Sequence, residues 1–297
     1  MRRRKKISLA RETLRTTPWI SKRAVAKEFG IARSTLYLRS KQSEKDKHYL
    51  SEILHIIRIH PYYGARRIAL HMHRNQKLVR RIMKKYGLMR KRRRKRPRKP
   101  MDHGKPGSHI SNRIKGVCPV GPSAIWVGDF TYISWNDAFI YLATVMDLFT
   151  REIVGWHVGL HHSASLVVHA LQDAKRKRSL PKVFHSDQGS EYDSRLCHAW
   201  LFVHRILPSH SAKAHPWENG HQESFFGRFK EELGDVYRFP TLDVLVEALH
   251  HQIVYYNTKR IHGALKMTPR EKYAEAVQQR LVVDSKPNKK HLSTGVS

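Results

Sequence analysis

The pattern of apolar residues changes near residue 120, and this change limits the fold more than any other feature of the chain. Ile125–Ile133 is rich in β-branched and aromatic residues, and Phe139–Leu148 and Ile153–Val158 follow after short polar gaps, which predicts three strands of a meander. Further helices are predicted at Ser163–Arg178, Asp193–His204, Trp217–Leu233 and Leu242–Asn257, and further strands at Lys182–His185 and Arg205–Ser209. Three consecutive strands followed by alternating helices and strands predict an α/β fold in which helices cover a mixed sheet.

Positive charge is concentrated in the first third of the chain. The 297 residues carry 57 Lys and Arg against 24 Asp and Glu, a formal net charge of +33 with His neutral. Residues 1–108 hold 34 of these cations and 6 of the anions, a net of +28, which leaves +5 for residues 109–297. Such a charge opposes compaction unless a polyanion shares the surface, so nucleic acid is the expected partner.

Two absences in the sequence exclude other classes of protein. No apolar run reaches the ~20 residues that a membrane-spanning helix needs, so no membrane partner is expected. Cys118 and Cys197 are the two cysteines, too few for a disulfide framework or a four-cysteine zinc site. The expected location is a reducing cytoplasm, in association with the nucleoid.

The segment Ser21–Tyr37 has the spacing of a helix-turn-helix. Gly30 stands where the chain must turn sharply, in a backbone conformation that is costly for other residues. In this motif the second helix approaches DNA, so Arg33, Ser34 and Thr35 are predicted DNA contacts. A small helical hairpin without DNA contacts is the alternative.

A second helical unit is predicted from Tyr49–Ile59, Tyr63–Met72 and Leu78–Tyr86, which closes at Gly87. Basic residues lie between apolar ones, so one face packs and the other is basic. The predicted DNA contacts on this face are Arg66, Arg67, Arg80, Arg81 and Lys84. The alternative is a helix bundle whose basic face is merely solvated.

Residues 90–112 predict a linker that becomes ordered on a phosphate backbone. Every position from Arg90 to Lys99 is basic except Pro97, and several Pro and Gly residues follow, so neither a helix nor a strand should persist. A solvated tail or an address tag is the alternative. The predicted DNA contacts in this run are Arg90, Lys91, Arg92, Arg93, Arg94, Lys95 and Arg96.

Three carboxylates stand out in this basic chain. Asp129 interrupts an apolar strand, where a carboxylate must be paired, neutral or bound to a metal. Asp187 follows the strand that ends at His185, and Glu223 lies on a predicted helix. A strand centre, a strand end and a helix can bring three carboxylates together around two divalent cations, the arrangement that in-line phosphoryl transfer needs.

Two neighbouring residues leave alternatives open. Asp147 follows a strand and is either a fourth ligand or, as we favour, a cap for the turn into Arg151. His185 either orients Asp187 or contacts substrate, or it is a packed histidine at the end of its strand.

The spacing of the carboxylates and the words around them resemble a known family. Thirty-five residues separate Asp187 from Glu223, and Lys230 lies seven positions past Glu223, which is similar to the D,D(35)E core of retroviral integrases and bacterial transposases. The local words resemble most closely the OrfB frame of the insertion-sequence-three family. They are Tyr62-Tyr-Gly-Ala-Arg-Arg-Ile, Trp126-Val-Gly-Asp-Phe-Thr-Tyr-Ile, Asp147-Leu-Phe-Thr-Arg-Glu-Ile-Val-Gly-Trp, His185-Ser-Asp-Gln-Gly-Ser-Glu-Tyr, Glu223-Ser-Phe-Phe-Gly and Tyr256-Asn-Thr-Lys-Arg-Ile-His-Gly-Ala-Leu.

The resemblance implies an RNase H-like catalytic core with Asp129, Asp187 and Glu223 as catalytic and metal-binding residues. It also implies Mg²⁺, two ions with Mn²⁺ as an alternative metal, and DNA cleavage and strand transfer by water and by a DNA 3′-hydroxyl. Lys230 is expected to reach DNA near the cleaved bond. The expected partners are the terminal repeats of an element, target DNA, further copies of the chain and an upstream reading frame, separate or fused.

The domain layout expected from these features runs from helices to a catalytic core. A helix-turn-helix occupies residues 1–45, a second helical DNA-binding unit 46–89, the linker 90–112, the core 113–275 and a C-terminal tail 276–297. Gly128 departs from the family, in which a polar residue is more common before the first Asp. A DNA-binding regulator with a lapsed catalytic core is the alternative function, and the three intact carboxylates argue against it.

Overall fold

In the part of the chain that the structure describes, six N-terminal helices precede a five-stranded sheet with helices on both faces. The computed structural model describes residues 3–37, 41–90, 110–211 and 220–284. The helical part contains α1 (Arg3–Thr16), α2 (Lys22–Glu28), α3 (Arg33–Tyr37), α4 (Lys41–Ile59), α5 (Ala65–His71) and α6 (Gln76–Lys85). The sheet part contains β1 (Ile125–Trp135), β2 (Ala138–Asp147), β3 (Ile153–Gly159), α7 (Ala164–Lys177), β4 (Val183–Ser186), α8 (Arg195–Val203), β5 (Leu207–His210), α9 (Gly220–Leu233), α10 (Leu242–Thr258) and α11 (Pro269–Asp284).

The sheet is mixed, as the sequence predicts. Its strand order is β3-β2-β1-β4-β5, with β1, β2 and β3 forming an antiparallel meander and β4 and β5 running parallel to β1. The meander forms because short polar turns join its strands, whereas the parallel strands need crossovers, which α7 and α8 supply. β1 therefore lies at the centre of the sheet, with β2 on one side and β4 on the other.

Each face of the sheet buries its own apolar core. Trp126, Val145 and Phe184 pack against α7 and α8 on one face. Ile140, Leu142 and Met146 pack against α9 and α10 on the other face. Since side chains alternate between the two faces of a strand, the near-continuous apolar runs of β1 and β2 serve both cores.

Gly128 is explained by this packing. A side chain at Gly128 would overlap the ring of Phe184 and press on the ring of Tyr192. The glycine therefore lets β4 and the loop after it approach β1 closely, directly beside Asp129. The family's usual polar residue has no room here because Phe184 and Tyr192 occupy the space.

The N-terminal helices form two small units. In the first, Ser21 caps α2 by accepting a hydrogen bond from the Ala24 N–H, and Gly30 has φ +60°, the left-handed conformation that the helix-turn-helix spacing predicts. In the second, α4, α5 and α6 enclose a core that includes Ile53, Ile68 and Ile82. Both helical predictions are therefore confirmed as local structure.

Two of the expected boundaries fall inside helices. The division between residues 45 and 46 lies within α4, and the division at residue 276 lies within α11, whose Ala276 is buried. The helix α11 is fixed to the sheet part because Arg270 and Arg178 both form ion pairs with the buried Glu152. Of the expected linker, Arg90 and residues 110–112 are described, and residues 91–109 lie outside the described residues.

Candidate active site

The register of the sheet places Asp129 and Asp187 on neighbouring strands at the same level. Val127 of β1 pairs with His185 of β4 in parallel register, and the two aspartates each lie two residues further along. Residues two apart point to the same face of a strand, and neighbouring strands lie about 4.8 Å apart. The two carboxylates are therefore held side by side, where β4 ends.

Gln222 fixes the helix that carries Glu223. Its side chain is fully buried, and its amide N–H donates to the Val127 carbonyl at 2.7 Å while its Oε1 accepts from the Thr144 hydroxyl at 3.4 Å. Phe225 and Phe226 bury the next turn of α9 in the core below. The first turn of α9 thus begins over β1, two residues before Asp129, and Glu223 is exposed to solvent beside it.

The three carboxylates influence one another electrostatically. Burial, together with the negative charges of Asp187 and Glu223, raises the pKa of Asp129 to about 8, against one hydrogen bond from the Phe130 N–H. Burial is also the main cause of a raised pKa at Asp187, to which Glu191 adds, while the Gly189 N–H, His210 and His162 act in the opposite direction.

Glu191 and His162 were missed by the sequence interpretation. Glu191 is buried, forms an ion pair with His162 at 2.9 Å, and lies with Asp187 on either side of Gly189. The following helix α8 is capped by Ser194, whose hydroxyl accepts a hydrogen bond from the Cys197 N–H. The spacing of Asp187 and Glu191 within one short loop was the available signal, but no pattern in the sequence points to His162, which comes from the loop before α7.

The donor set fits a hard divalent cation. Asp129 and Asp187 each accept one backbone hydrogen bond, and none of the three carboxylates forms an ion pair with a Lys or Arg of the described residues. Within those residues, no group of three His, Cys, Asp or Glu side chains is close enough to hold one ion. Asp187 and Glu223 nevertheless both raise the pKa of Asp129, a perturbation that an added cation would relieve, and carboxylate oxygens are ligands that suit Mg²⁺ or Mn²⁺.

Asp147 is a structural cap. Its Oδ1 accepts hydrogen bonds from the Phe149 and Thr150 N–H groups and the Thr150 hydroxyl, and its Oδ2 accepts one from the Ser123 N–H. All of its acceptor sites near the turn are therefore occupied. The favoured alternative, a turn cap, is confirmed over a fourth metal ligand.

His185 and Lys230 both have protein contacts. The Nδ1 of the fully buried His185 is hydrogen-bonded to the Ser209 hydroxyl of β5 at 2.9 Å, which favours the packed strand-end alternative. Lys230 donates to the Tyr132 carbonyl at 2.5 Å and lies 4.7 Å from the centre of the Tyr132 ring. Lys230 thus lies against β1, three residues along from Asp129.

The predicted DNA contacts differ in how available they are. Thr35 is buried, with 8% of its surface exposed, because the five-residue helix α3 packs this side chain inward, so Thr35 is removed from the predicted interface. Arg81 is also engaged, through a bidentate ion pair with the buried Asp46. The exposed predicted contacts are Arg33, Ser34, Arg66, Arg80, Lys84 and Arg90.

Two of the predicted contacts, one partly buried and one exposed but ion-paired, are engaged within the protein, and six more lie outside the described residues. Arg67 is half-buried, and Arg90 forms an ion pair with Glu231 at 2.7 Å. The others, Lys91, Arg92, Arg93, Arg94, Lys95 and Arg96, lie outside the described residues. The structure contains, among the residues it describes, no helix long and apolar enough to cross a membrane.

Comparison with known proteins identifies the class of this sheet. Two family models, both described as integrase core domain, match residues 119–216 and 204–269. These ranges contain β1 to β5, α9 and all three carboxylates. The sheet is therefore the RNase H-like core of the integrase class, whose members are polynucleotidyl transferases that act on DNA.

Full-length relatives narrow the class to one family. The transposase for insertion sequence element IS904 of Lactococcus lactis is 31% identical over 77% of this chain and 95% of the relative. The putative transposase InsK of IS150 from Escherichia coli is 33% identical over 81% of this chain and 89% of the relative. The solved HTLV-2 integrase catalytic core domain, in complex with magnesium, covers 52% of this chain at 18% identity and a TM-score of 0.45, a likeness too distant to add to the assignment. The chain belongs to the family of insertion-sequence transposases.

Proposed function

We propose that Asp129, Asp187 and Glu223 are the catalytic carboxylates of this transposase and that they hold two Mg²⁺ ions, or Mn²⁺ as the alternative. The observation behind the proposal is the parallel register of β1 and β4, which sets Asp129 beside Asp187, and the pKa of Asp129 is raised by both other carboxylates with no cationic side chain to offset them. Perturbed carboxylates of this kind are typical of functional sites. A regulator with a lapsed core would have no need to keep this repulsion.

The reaction follows from the chemistry of phosphodiesters. In cleavage, a water oxygen forms a bond to phosphorus, the bond between phosphorus and the 3′ oxygen breaks, and that oxygen takes a proton to become a 3′-hydroxyl. In strand transfer, this 3′-hydroxyl attacks a phosphorus of target DNA and a second 3′ oxygen leaves. The three carboxylates would hold divalent cations, which when bound would supply activation of the attacking oxygen and stabilisation of the leaving oxygen. The three carboxylates would set the position of the cations, since the sheet register and Gln222 fix the elements that carry these carboxylates.

DNA binding is assigned in this proposal to the first third of the chain. The exposed side chains of Arg33, Ser34, Arg80 and Lys84, together with the basic run 91–96, contact the phosphate backbone and the element's terminal repeats, and Lys230 contacts DNA near the cleaved bond. The helices α1 to α6 and the linker 90–112 thus bind DNA, and the core from residue 113 cleaves it. Further copies of the chain assemble on DNA, and an upstream reading frame supplies an additional segment.

The test is a cleavage assay on duplex DNA that carries the ends of the insertion sequence. Wild-type protein with Mg²⁺ should give nicked and joined products, and Asp187→Asn should give none while it keeps its affinity for the ends. Asp193→Asn is the matched control, because Asp193 lies in the same loop with a side chain 52% exposed. Cleavage at the wild-type rate by Asp187→Asn would refute the assignment.

A further inference from the structure

Two of the sequence words that carry the family resemblance are not used by the carboxylate site. They are Tyr62-Tyr-Gly-Ala-Arg-Arg-Ile, at the start of α5, and Tyr256-Asn-Thr-Lys-Arg-Ile-His-Gly-Ala-Leu, at the end of α10. The structure joins them, although almost 200 residues separate them in the chain. The Ile261 N–H donates to the Tyr63 hydroxyl at 2.8 Å, that hydroxyl donates to the Lys259 carbonyl at 3.3 Å, and Arg66 donates to the Gly263 carbonyl at 3.0 Å.

A cavity of about 280 Å³ lies between these two segments and α9. Among the described residues that line it are five arginines and one carboxylate, Glu232. Glu232 is already engaged, because its two oxygens accept from Arg260 at 2.8 Å and from Gln252 at 3.2 Å. The cavity therefore has a large excess of positive charge. Its arginines are Arg66, Arg67, Arg151, Arg228 and Arg260.

Several polar atoms in this cavity have no hydrogen-bond partner among the described residues. The side chain of Arg260 is 3% exposed, yet its Nη2 has no acceptor there, and the same holds for the buried Nη1 of Arg151. The buried Nδ1 of His262 has no partner there either. A buried cation whose N–H donor makes no hydrogen bond destabilises the folded protein. Burial and the charges of Arg260 and Arg228 also lower the pKa of Arg67, to about 10, so this cation is held at a cost as well.

The chemistry of these groups selects the ligand. Several guanidinium forks that converge on one small cavity match the tetrahedral oxygens of a phosphate group, which accepts many hydrogen bonds at once. The cavity is also continuous with a wider cleft, since Arg66, Arg67, Ser224 and Arg228 line both, and that cleft includes Glu223. A phosphate bound in the cavity is thus next to the helix turn that carries a catalytic carboxylate.

We propose that this arginine cavity, built jointly by the second helical unit and the catalytic core, binds one phosphate of the DNA backbone near the bond that is cleaved. The proposal rests on the proposed function, because it takes Glu223 to mark the cleaved bond. The two segments would then together position the DNA strand relative to the carboxylates. DNA bound at this phosphate would also bridge the helical unit and the core.

The experiment removes a charge from the protein and from the DNA in turn. End duplexes carry a neutral methylphosphonate at one backbone position at a time, and their Kd is measured with metal chelated for the full-length wild type, Arg67→Gln and Arg228→Gln. Arg228 is exposed and makes no hydrogen bond to the described residues, so its replacement removes no internal contact. Arg176→Gln is the matched control, because Arg176 lies on α7, on the opposite face of the sheet, with its side chain 76% exposed.

The expected result is a coupling at one phosphate position. There, the methylphosphonate should weaken binding about tenfold for the wild type and Arg176→Gln, and much less for Arg67→Gln and Arg228→Gln, whose binding is already weakened. Equal losses at every position in all four proteins would overturn the proposal. So would a stabilisation of the wild type by inorganic phosphate that Arg67→Gln lacks, if no DNA position shows coupling, since the occupant is then a free anion. Because the readout is affinity, a wild type that shows the coupling but does not cleave would count against the proposed function alone.

Discussion

Two largely buried aspartates, one in each half of the molecule, differ in whether their carboxyl groups have cationic partners. Asp46 of the second helical unit has a side chain only 2% exposed, and both of its oxygens accept hydrogen bonds from Arg81 at 2.7 and 3.0 Å, with Lys85 at 3.0 Å. Asp129 of the core receives one hydrogen bond, from the N–H of its neighbour Phe130, and faces two further carboxylates.

The difference separates a structural charge from a functional one. At Asp46, whose role is structural, the chain supplies two cations, because burying a charge alone is expensive. At Asp129 the described part of the chain supplies no Lys or Arg partner, and the resulting repulsion is kept in the native state. The comparison predicts that the two aspartates respond in opposite ways to neutralisation.

The largest expected effect is on catalysis. Asp129→Asn should lower the rate of Mg²⁺-dependent end cleavage about a thousandfold or more, because it removes a ligand from the phosphoryl-transfer site. Asp46→Asn should cleave at close to the wild-type rate per folded molecule. Single-turnover cleavage under matched conditions measures both, and a similar loss in the two variants would erase the distinction between the aspartates.

The next effect is a pH dependence of stability in the chelated protein. The pKa of Asp129 is near 3.8 when unfolded and about 8 when folded, so the unfolded chain releases this proton first as the pH rises. The stabilising contribution of the protonated carboxyl is complete below pH 4 and is lost as the pH rises through 8, by about 3 kcal/mol once partial exposure is allowed for. Urea unfolding of wild type and Asp129→Asn from pH 4 to 9 measures it.

Neutralisation of Asp129 and addition of metal should each change this pH dependence. Asp129→Asn should lack this component and be more stable than the wild type at pH 8 without metal, and added Mg²⁺ should reverse the order by stabilising only the wild type. Parallel stability curves for the two proteins over the whole range would show that Asp129 carries no unpaired charge.

A smaller effect, of opposite sign, is expected at Asp46. Asp46→Asn should lower the free energy of unfolding by about 1–3 kcal/mol, because it breaks a bidentate pair with Arg81. Glu28→Gln is a suitable control, since Glu28 is an exposed carboxylate of the same helical region. Thermal unfolding with DNA absent gives the comparison, and a neutral result would mean that solvation replaces the pair at no cost.

Much of the sheet and the positions of the three carboxylates could be predicted from local sequence. Strand and helix periodicity located all five strands and the helices α7 to α10, because each of these elements buries an apolar set of its own. Asp129 and Asp187 were found because a carboxylate is conspicuous within or directly after an apolar strand. The spacing to Glu223 then came from the family resemblance and not from the physics of the chain.

The rest depended on contacts between distant segments. Gln222 is polar and would be expected at the surface, and only the folded structure shows that it donates to the Val127 carbonyl. Similarly, the ion-pair partner of Glu191 comes from the loop before α7. The arginine cavity draws side chains from four separated stretches, so no window of sequence contains it. Thr35 and the end of α11 were misjudged for the opposite reason, since short or weakly patterned helices say little about which side packs.

The smallest expected effect concerns Lys230, a cation that has contacts within the protein and is also expected to contact DNA. Seven positions past Glu223 is about 700° around α9, within about 20° of the same face and roughly 10 Å further along. Its ammonium group lies over Tyr132 and donates to that residue's carbonyl, so it is held against β1 three residues along from Asp129. A phosphate contact at a partly exposed site contributes about 1 kcal/mol, so Lys230→Ala should slow end cleavage about threefold to tenfold and leave non-specific binding nearly unchanged. Lys230→Arg should retain most of the activity, because an arginine keeps both the charge and the stacking on the ring. A crosslinker at position 230 should react with DNA beside the cleaved bond. Reaction only with distant flanking DNA would show that Lys230 has a structural role, like the cations that pair with Asp46, and does not contact the substrate.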